Sequence, residues 1–532
     1  VGVSASKHLA ALDASTTSIT LRAKKNAKPT TYSQINNYVG TRGFVVFNNS
    51  RHNLERGIME RVKLCEIAGE FTTPPVPDAL LIECLSNIVR RHLYPYLPAT
   101  VPITYDEYIS KYNGKKLARY LRAKQDLYFN PWLTRRDRRI SAFAKKEMLL
   151  IKENKPFEKM IPRVVQAGTP KFNLVFGVFV RPIEERIYHA IDSMYNEVTG
   201  SPDHVRTVMK GLNAMEQGAQ IAYKWNKFKR PVFVPLDAKR FDQCVNVPLL
   251  KVQHDAMTKC YPNRKHKKQL RFCLDATLKR ECVGKAMDGI VKYKLEGGLC
   301  SGETTTALTG VFVMCVSIFA YLVYELKFAN FEVIDGGDDA GIILEADQLY
   351  RLENLNEYFL ALGLRMTIGK PVTVMEEIEF CSTQPVFDGQ HWRMVRDPRV
   401  SVTKDATSLK PLGSQTELAN YLNSVGKGGL SLTGGIPLLQ EYYSSMIRNA
   451  TTLIGRKKFK DIKLEGGLYY LSRRMTERYS PVSVEARVSF YKAFGILPDL
   501  QIEMEQEYRN KTIKWCSREC TVRQEYNIFE TK

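Results

Sequence analysis

Between Phe331 and Glu345 the chain reads FEVIDGGDDAGIILE, with strand-forming residues (Phe331, Val333, then Ile342 to Leu344) on either side of a polar glycine turn. The pattern predicts two strands joined by a tight hairpin with Asp338 and Asp339 at its tip, because Gly336 and Gly337 supply the backbone freedom such a turn needs. A second apolar run, Val232 to Val234, predicts a buried strand ending near Asp237, and Asp242 follows five residues later in LDAKRFD. The segment VFVMCVSIFAYLVY, Val311 to Tyr324, follows a cluster of glycines and hydroxyls, GGLCSGETTTALTG from Gly297 to Gly310. It is too short to span a bilayer and predicts a buried core helix. Apolar residues recur three and four apart in EYYSSMIRNATTLI, Glu441 to Ile454, which predicts a packed helix. By contrast, VGKGGLSLTGG around Gly426 predicts a flexible loop. Further seams are expected at RAKKNAKPTT near Lys24, at TRRDRR from Thr134 to Arg139, and at YPNRKHKKQ from Tyr261 to Gln269.

Carboxylates fixed on a rigid turn are hard oxygen ligands suited to Mg²⁺, which takes few protein carboxylates and keeps places for water and substrate phosphates. A two-metal site needs carboxylates from separate elements, and Asp237 with Asp242 supplies the second set. Each piece alone has a plainer reading. Gly-Asp-Asp also suits an ordinary polar turn, and Ser301, Thr304, Thr305 and Thr306 also suit the capped start of a helix.

In their order along the chain, these three segments resemble motifs A, B and C of viral RNA-dependent RNA polymerases. PRVVQAGTPKFN (Pro162 to Asn173), YNGKKLARY (Tyr112 to Tyr120), IEFCSTQPV (Ile378 to Val386), ARVSFYKAFGILPD (Ala486 to Asp499) and FNNSRHNLERGIMERV (Phe47 to Val62) resemble the tombusvirus family and its plant-virus relatives. The resemblance spans roughly residues 40 to 500. It implies an α+β right-hand polymerase with fingers, a palm built on an antiparallel sheet, and a helical thumb. The implied boundaries are 1–180 for fingers with an amino-terminal extension, 181–246 for palm, 247–290 for a fingers insertion, 291–399 for palm and 400–532 for thumb.

The resemblance also implies roles. Asp237 and Asp338 would bind two Mg²⁺ ions, for which Mn²⁺ would substitute, with Asp339 as a secondary ligand. Asp242 would read the ribose 2′-hydroxyl, and Ser301, Gly302 and Thr306 would line the nucleotide site. Lys145, Lys159 and Arg163 would face the triphosphate, although a solvated basic strand on the template backbone is an alternative. Lys370 would protonate pyrophosphate, with Arg365 as a competitor. Gly114, Lys115 and Lys116 would guide template RNA, with Arg181 as a further contact. Phe380, Cys381 and Ser382 would support the primer end, unless they form only a buried hairpin. The family pattern has an asparagine where this chain has Gly310, which predicts weaker sugar selection from Asp242 aided by Thr306 or Thr309, and sharper selection if asparagine is restored.

Composition agrees with this reading. The net charge of +22, from 78 Lys and Arg against 56 Asp and Glu, implies a polyanionic partner, nucleic acid or an anionic membrane. Eleven cysteines without a CxxC pair argue against a disulfide framework and a zinc ribbon. Cys516 and Cys520 have helical spacing, but no histidine follows His391 to complete a metal site there. No Gly-Lys-Ser or Gly-Lys-Thr occurs, which removes a Walker-type ATPase. No signal peptide is visible, since the amino terminus lacks an apolar run, and the start at Val1 instead of Met predicts a missing upstream segment. The resemblance implies RNA template, nascent RNA and ribonucleoside triphosphates as partners, together with a viral replication protein that carries the membrane anchors, and host factors. It places the protein in membrane-associated replication complexes of the host cytoplasm. The rivals are a reverse transcriptase, disfavoured by Asp242, and a non-catalytic RNA-binding or coat-like protein, which gives no reason for carboxylates at strand ends.

Overall fold

The computed structural model describes residues 17–20, 28–35, 42–67, 69–151, 160–455, 459, 471–515, 519–522 and 526–529. Its fold is α+β: named strands pair antiparallel except where Ile140–Ala144 lies parallel to Lys279–Lys285. The central sheet has four strands in the order Glu332–Asp335, Asp339–Glu345, Pro231–Ala238, Met366–Ile368. Side chains alternate across it. Val232, Val234, Leu236, Ile342 and Leu344 enter one core, while Phe233, Ile343 and Ile334 enter another on the opposite face. Two covered faces explain why these strands read as unbroken apolar runs.

The larger core contains the helix Thr306–Phe319, continued by the wider turn Ala320–Glu325. With that continuation, the helix reaches a length and composition able to cross a membrane, beyond the short run read from the sequence, yet 83% of it is buried inside the protein. Packing identifies it as a core helix. Beside it run the long helix Pro170–Thr199 and the helix Val247–Lys259.

A second sheet joins Thr17–Thr20, Ile290–Glu296, Lys279–Lys285, Ile140–Ala144 and Val164–Ala167 in that order. It carries the basic segment to the rim of the central sheet, where the Lys145 amide donates to the Arg163 carbonyl at 2.7 Å. Strand Thr31–Gln34 pairs with Thr407–Ser408 and Glu519–Thr521, so early and late parts of the chain share a sheet.

Two expectations need correction here. The glycine-rich stretch around Gly426 lies within the helix Gln415–Thr433, packed against Leu439–Ile454, except for its last two residues, Gly434 and Gly435, which end that helix. A Cβ on Gly429 would stand 2.2 Å from the Tyr443 ring and one on Gly426 would stand 2.7 Å from Ile447, so these glycines permit close helix contact instead of marking a loop. Cys520 belongs to the strand Glu519–Thr521 and not to a helix, while Cys516 lies outside the described residues. The Lys24 seam also falls mostly outside the described residues.

Candidate active site

The antiparallel register sets Asp339 directly opposite Asp237. Asp338 sits in the turn, where Gly337 adopts φ +107°, a region that favours glycine. Behind this turn lies Asp335, fully buried, whose Oδ2 accepts the Gly337 amide at 3.1 Å. Burial pushes the Asp335 carboxyl well above its ordinary range, against the pull of Lys210 and the Gly337 amide.

After Asp237 the strand ends, and Arg240 enters the left-handed region at φ 55°, ψ 44°, starting the one-turn helix Phe241–Cys244. Such a conformation is costly for a residue with a side chain and is kept where the surroundings enforce it. The turn is pinned from outside: the Leu299 amide donates to the Asp242 carbonyl and the Gly298 amide to the Val245 carbonyl, each at 2.7 Å. Asp242 consequently faces Asp237 and the Ser301 loop across a cavity of about 380 Å³.

That cavity is lined by Asp237, Asp242, Asp338, Lys145, Arg163 and Ser301, predicted from distant parts of the sequence. Loss of bulk water pushes the Asp242 carboxyl up to about 6, with Asp338 adding to the shift and Arg163 opposing it. Asp339 is raised to about 6 by the same loss of water and then by Asp338 and Asp237. These carboxylates repel one another, and a cation would relieve them. Among the described residues, no group of three or more His, Cys, Asp or Glu side chains is arranged to hold a metal ion unaided. Carboxylates brought together on strand ends and a turn are oxygen ligands of the kind a hard divalent cation takes.

The opposite wall is cationic. Glu147 holds Lys145 at 2.9 Å and Arg163 at 3.6 Å. Two arginines absent from the sequence reading also line it, Arg61 and Arg240. Burial, then Arg240 and Arg163, lowers Arg61 to about 9, and burial is also the main cause that lowers Arg240. Guanidinium groups that have lost water in this way suit an anionic ligand, which would favour their charged form. Arg240 stands between the two aspartates of LDAKRFD, a position that hinted at its place; Arg61 comes from the segment Met59–Lys63 and had no local signal.

Other predicted residues lie elsewhere. Gly302 lines a second cavity of about 980 Å³ with Lys115, Lys116, Arg119 and Lys410, and its amide donates to the Gln166 carbonyl. Gly114 begins the helix Gly114–Phe129 beside that cavity. The Thr306 hydroxyl donates to the Cys300 and Glu303 carbonyls, and the Thr309 hydroxyl to Gln253, so neither is turned to Asp242. Phe380 is buried, while Cys381 and Ser382 form a turn with φ 50° and 59°. Cys381 Sγ lies 2.8 Å from where a Cβ on Gly336 would be, so this turn leans on the aspartate hairpin.

Two residues are not brought in. Thr367 pairs with Asp237 and Ile368 with Leu236, and the Gly369 amide donates to the Pro235 carbonyl, so Lys370 follows the end of this strand, three residues beyond the position opposite Asp237, and does not line the cavity. Arg365, whose carbonyl accepts the Lys239 amide, is at the nearer end. Arg181 pairs with Glu184 on the helix Pro170–Thr199 and lines neither cavity. Lys159 lies outside the described residues.

Comparison with known proteins gives the family. A family model described as viral RNA dependent RNA polymerase matches residues 18–516. The chain is 35% identical to the RNA-directed RNA polymerase of Turnip crinkle virus over 470 residues, covering 88% of this chain and 58% of that protein. It is 36% identical to that of Tobacco necrosis virus (strain A) over 491 residues, covering 91% and 64%. For the enzyme of Oat chlorotic stunt virus the identity is 33% over 481 residues, covering 88% and 62%. The chain thus spans about three-fifths of the length of these curated relatives. On the family match and these identities, the chain belongs to the viral RNA-dependent RNA polymerases of the tombusvirus type.

Proposed function

We propose that the chain synthesises RNA on an RNA template by two-metal-ion nucleotidyl transfer, replicating a positive-strand viral genome from ribonucleoside triphosphates. The observation that carries this reading is the meeting of Asp237, Asp242 and Asp338 across one cavity from Lys145 and Arg163. In this reading the chain is a right hand: residues 1–180 and 247–290 are fingers, 181–246 and 291–399 palm, and 400–532 thumb. Its template, nascent strand and nucleotides are met in membrane-associated complexes of the host cytoplasm, with a viral replication protein and host factors.

Asp237 and Asp338 would hold two Mg²⁺ ions, or Mn²⁺ in their place, with Asp339 as a further ligand. When bound, the cations supply charge neutralisation at the attacking and leaving oxygens. The 3′-hydroxyl oxygen of the growing strand forms a bond to the α-phosphorus as the bond to pyrophosphate breaks. Arg163, Lys145, Arg61 and Arg240 hold the charge of the triphosphate and of its leaving part. Asp242 accepts a hydrogen bond from the ribose 2′-hydroxyl, the group that distinguishes RNA precursors from DNA precursors. Lys115, Lys116 and Lys410 contact template phosphates in the larger cavity.

Incorporation of labelled ribonucleotides on an RNA template, with Mg²⁺ and with it chelated, tests this. Asp338→Ala is expected to abolish incorporation while gel-shift affinity for RNA stays within about 2-fold, because binding rests on many Lys and Arg contacts. Near-normal extension by Asp338→Ala would sink the reading.

A further inference from the structure

Away from both cavities, the end of the helix Gly114–Phe129 and the turn after it leave three large rings in solvent. Tyr128 is 84% exposed, Phe129 69% and Trp132 81%. These rings fill no core, and the surface around them is basic. Arg122 lies on the outer side of the same helix and Arg136 in the turn, with Arg119 further back toward the larger cavity; all three are exposed and form no ion pair among the described residues. Arg135 and Arg139 are engaged with Glu281.

The patch is held rigidly. Tyr120, Ala123 and Leu127 bury the inner face of the helix. Lys171 stands 2.9 Å from Asp126 and 3.9 Å from Asp137, clamping helix to turn and neutralising two acids of the neighbourhood. The Arg138 guanidinium lies 5.6 Å from the centre of the Phe272 ring. That contact joins the turn to the helix Arg264–Asp275, which exposes Arg264, Lys265, Lys268 and Arg271. At its other end the helix Gly114–Phe129 forms part of the larger cavity through Lys115, Lys116 and Arg119. From Lys116 to Tyr128 the helix advances about 18 Å. One element therefore connects the cationic cavity to the exposed rings.

We propose that this face is an accessory track for single-stranded RNA, on which template outside the channel lies with bases stacked on Tyr128, Phe129 and Trp132 and phosphates on Arg119, Arg122 and Arg136. Aromatic rings interleaved with cations are the general means of holding a single strand without reading its sequence. Anionic lipid would also meet rings and arginines, but continuity with the lysine-lined cavity favours a strand that passes from one to the other. The inference rests on the polymerase reading for the direction in which template travels.

The test compares the unaltered chain with Tyr128→Ala/Trp132→Ala and, separately, with Arg136→Glu. Fluorescence anisotropy is measured with oligoribonucleotides of about 8 and about 25 nucleotides, the first within the span of one single-strand site of about 4–16 nucleotides and the second well beyond it. The double variant is expected to lose at least about 10-fold in affinity for the longer RNA and much less for the shorter. Arg136→Glu is expected to lose about 3-fold or more on the longer RNA and to flatten its dependence on salt. Unchanged affinity for the longer RNA, or equal losses on both lengths, overturns the track. So does loss of binding to vesicles of phosphatidylserine and phosphatidylcholine with RNA binding intact, which would make the face a membrane contact. Incorporation by the unaltered chain is scored separately. If it is absent while the length-dependent loss persists, the polymerase reading fails and the RNA surface stands.

Discussion

Asp242 and Arg240 lie two residues apart and face opposite charge problems in one cavity. The aspartate is raised by loss of water and by Asp338, the arginine lowered by burial. A triphosphate and its cations answer both, which makes single substitutions here informative. Arg163→Ala and Arg61→Ala are each expected to raise the KM for all four ribonucleotides by about 10-fold or more, since a charge-assisted phosphate contact carries no base information. Steady-state kinetics with each nucleotide checks this, and an effect confined to one base would reassign the residue to base reading. Asp242→Ala is expected to erase most of the preference for ribonucleotides over 2′-deoxy analogues, a discrimination that can reach about 10⁴-fold where a site hydrogen-bonds the hydroxyl. The ratio of kcat/KM for the two substrates measures it. Gly310→Asn is expected to sharpen this selection, as the family pattern suggested. A Cβ there makes only ordinary contacts, 3.7 Å from Gly337 and from the Phe241 ring, so the start of the side chain fits and the same kcat/KM ratio reads whether the amide reaches Asp242.

The elements around the site rest on close packing and on buried charge. Gly429→Ala would drive a methyl into the Tyr443 ring, which is fully buried and hydrogen-bonded through its hydroxyl to Asp405. Overpacking of this kind costs about 1–3 kcal/mol, to be read from urea unfolding. In the hairpin Gln384–Phe387 and Trp392–Val395, Asp388 meets Arg393 at 2.7 Å with both side chains buried, and it accepts the Gln390 and His391 amides. Burial alone would raise the Asp388 carboxyl, but the two amides and Arg393 outweigh it and hold it below the usual range. A depressed acid stabilises the fold above its unfolded pKa of about 3.9, and that contribution fades as pH falls through the folded value. Asp388→Asn is therefore expected to cost about 3 kcal/mol or more at neutral pH, by leaving Arg393 buried without its partner. The gap from the unaltered chain should close below about pH 4, as measured by thermal unfolding across pH.

At the scale of the whole molecule, a charge of +22 predicts RNA affinity that falls steeply and linearly in log salt, with a slope of about −0.7 per phosphate neutralised on a single strand. Titration across salt concentrations checks it, and a flat line would mean that the charge serves something other than RNA. The alternation of strand residues and the glycine turn made the aspartate hairpin legible, because backbone sterics and a two-residue period act over a few neighbours. The ordered motifs made the family legible for the same reason: each is a local device with its own spacing. Glycines around Gly426 misled, since glycine permits a loop or a close helix contact, and only the Tyr443 and Ile447 side chains on the neighbouring helix decide between them. The place of Lys370 relative to Asp237 was not legible, because strand register sets it and no motif carries register. Arg61 was invisible because the cavity assembles it against Arg163 and Arg240 from separate parts of the chain. What the sequence determined alone was the set of local elements and the acids they present. Which cations face those acids, and which hydroxyls are already committed, was decided by tertiary structure, because charge and hydrogen-bond partnership act through space and are indifferent to separation along the chain.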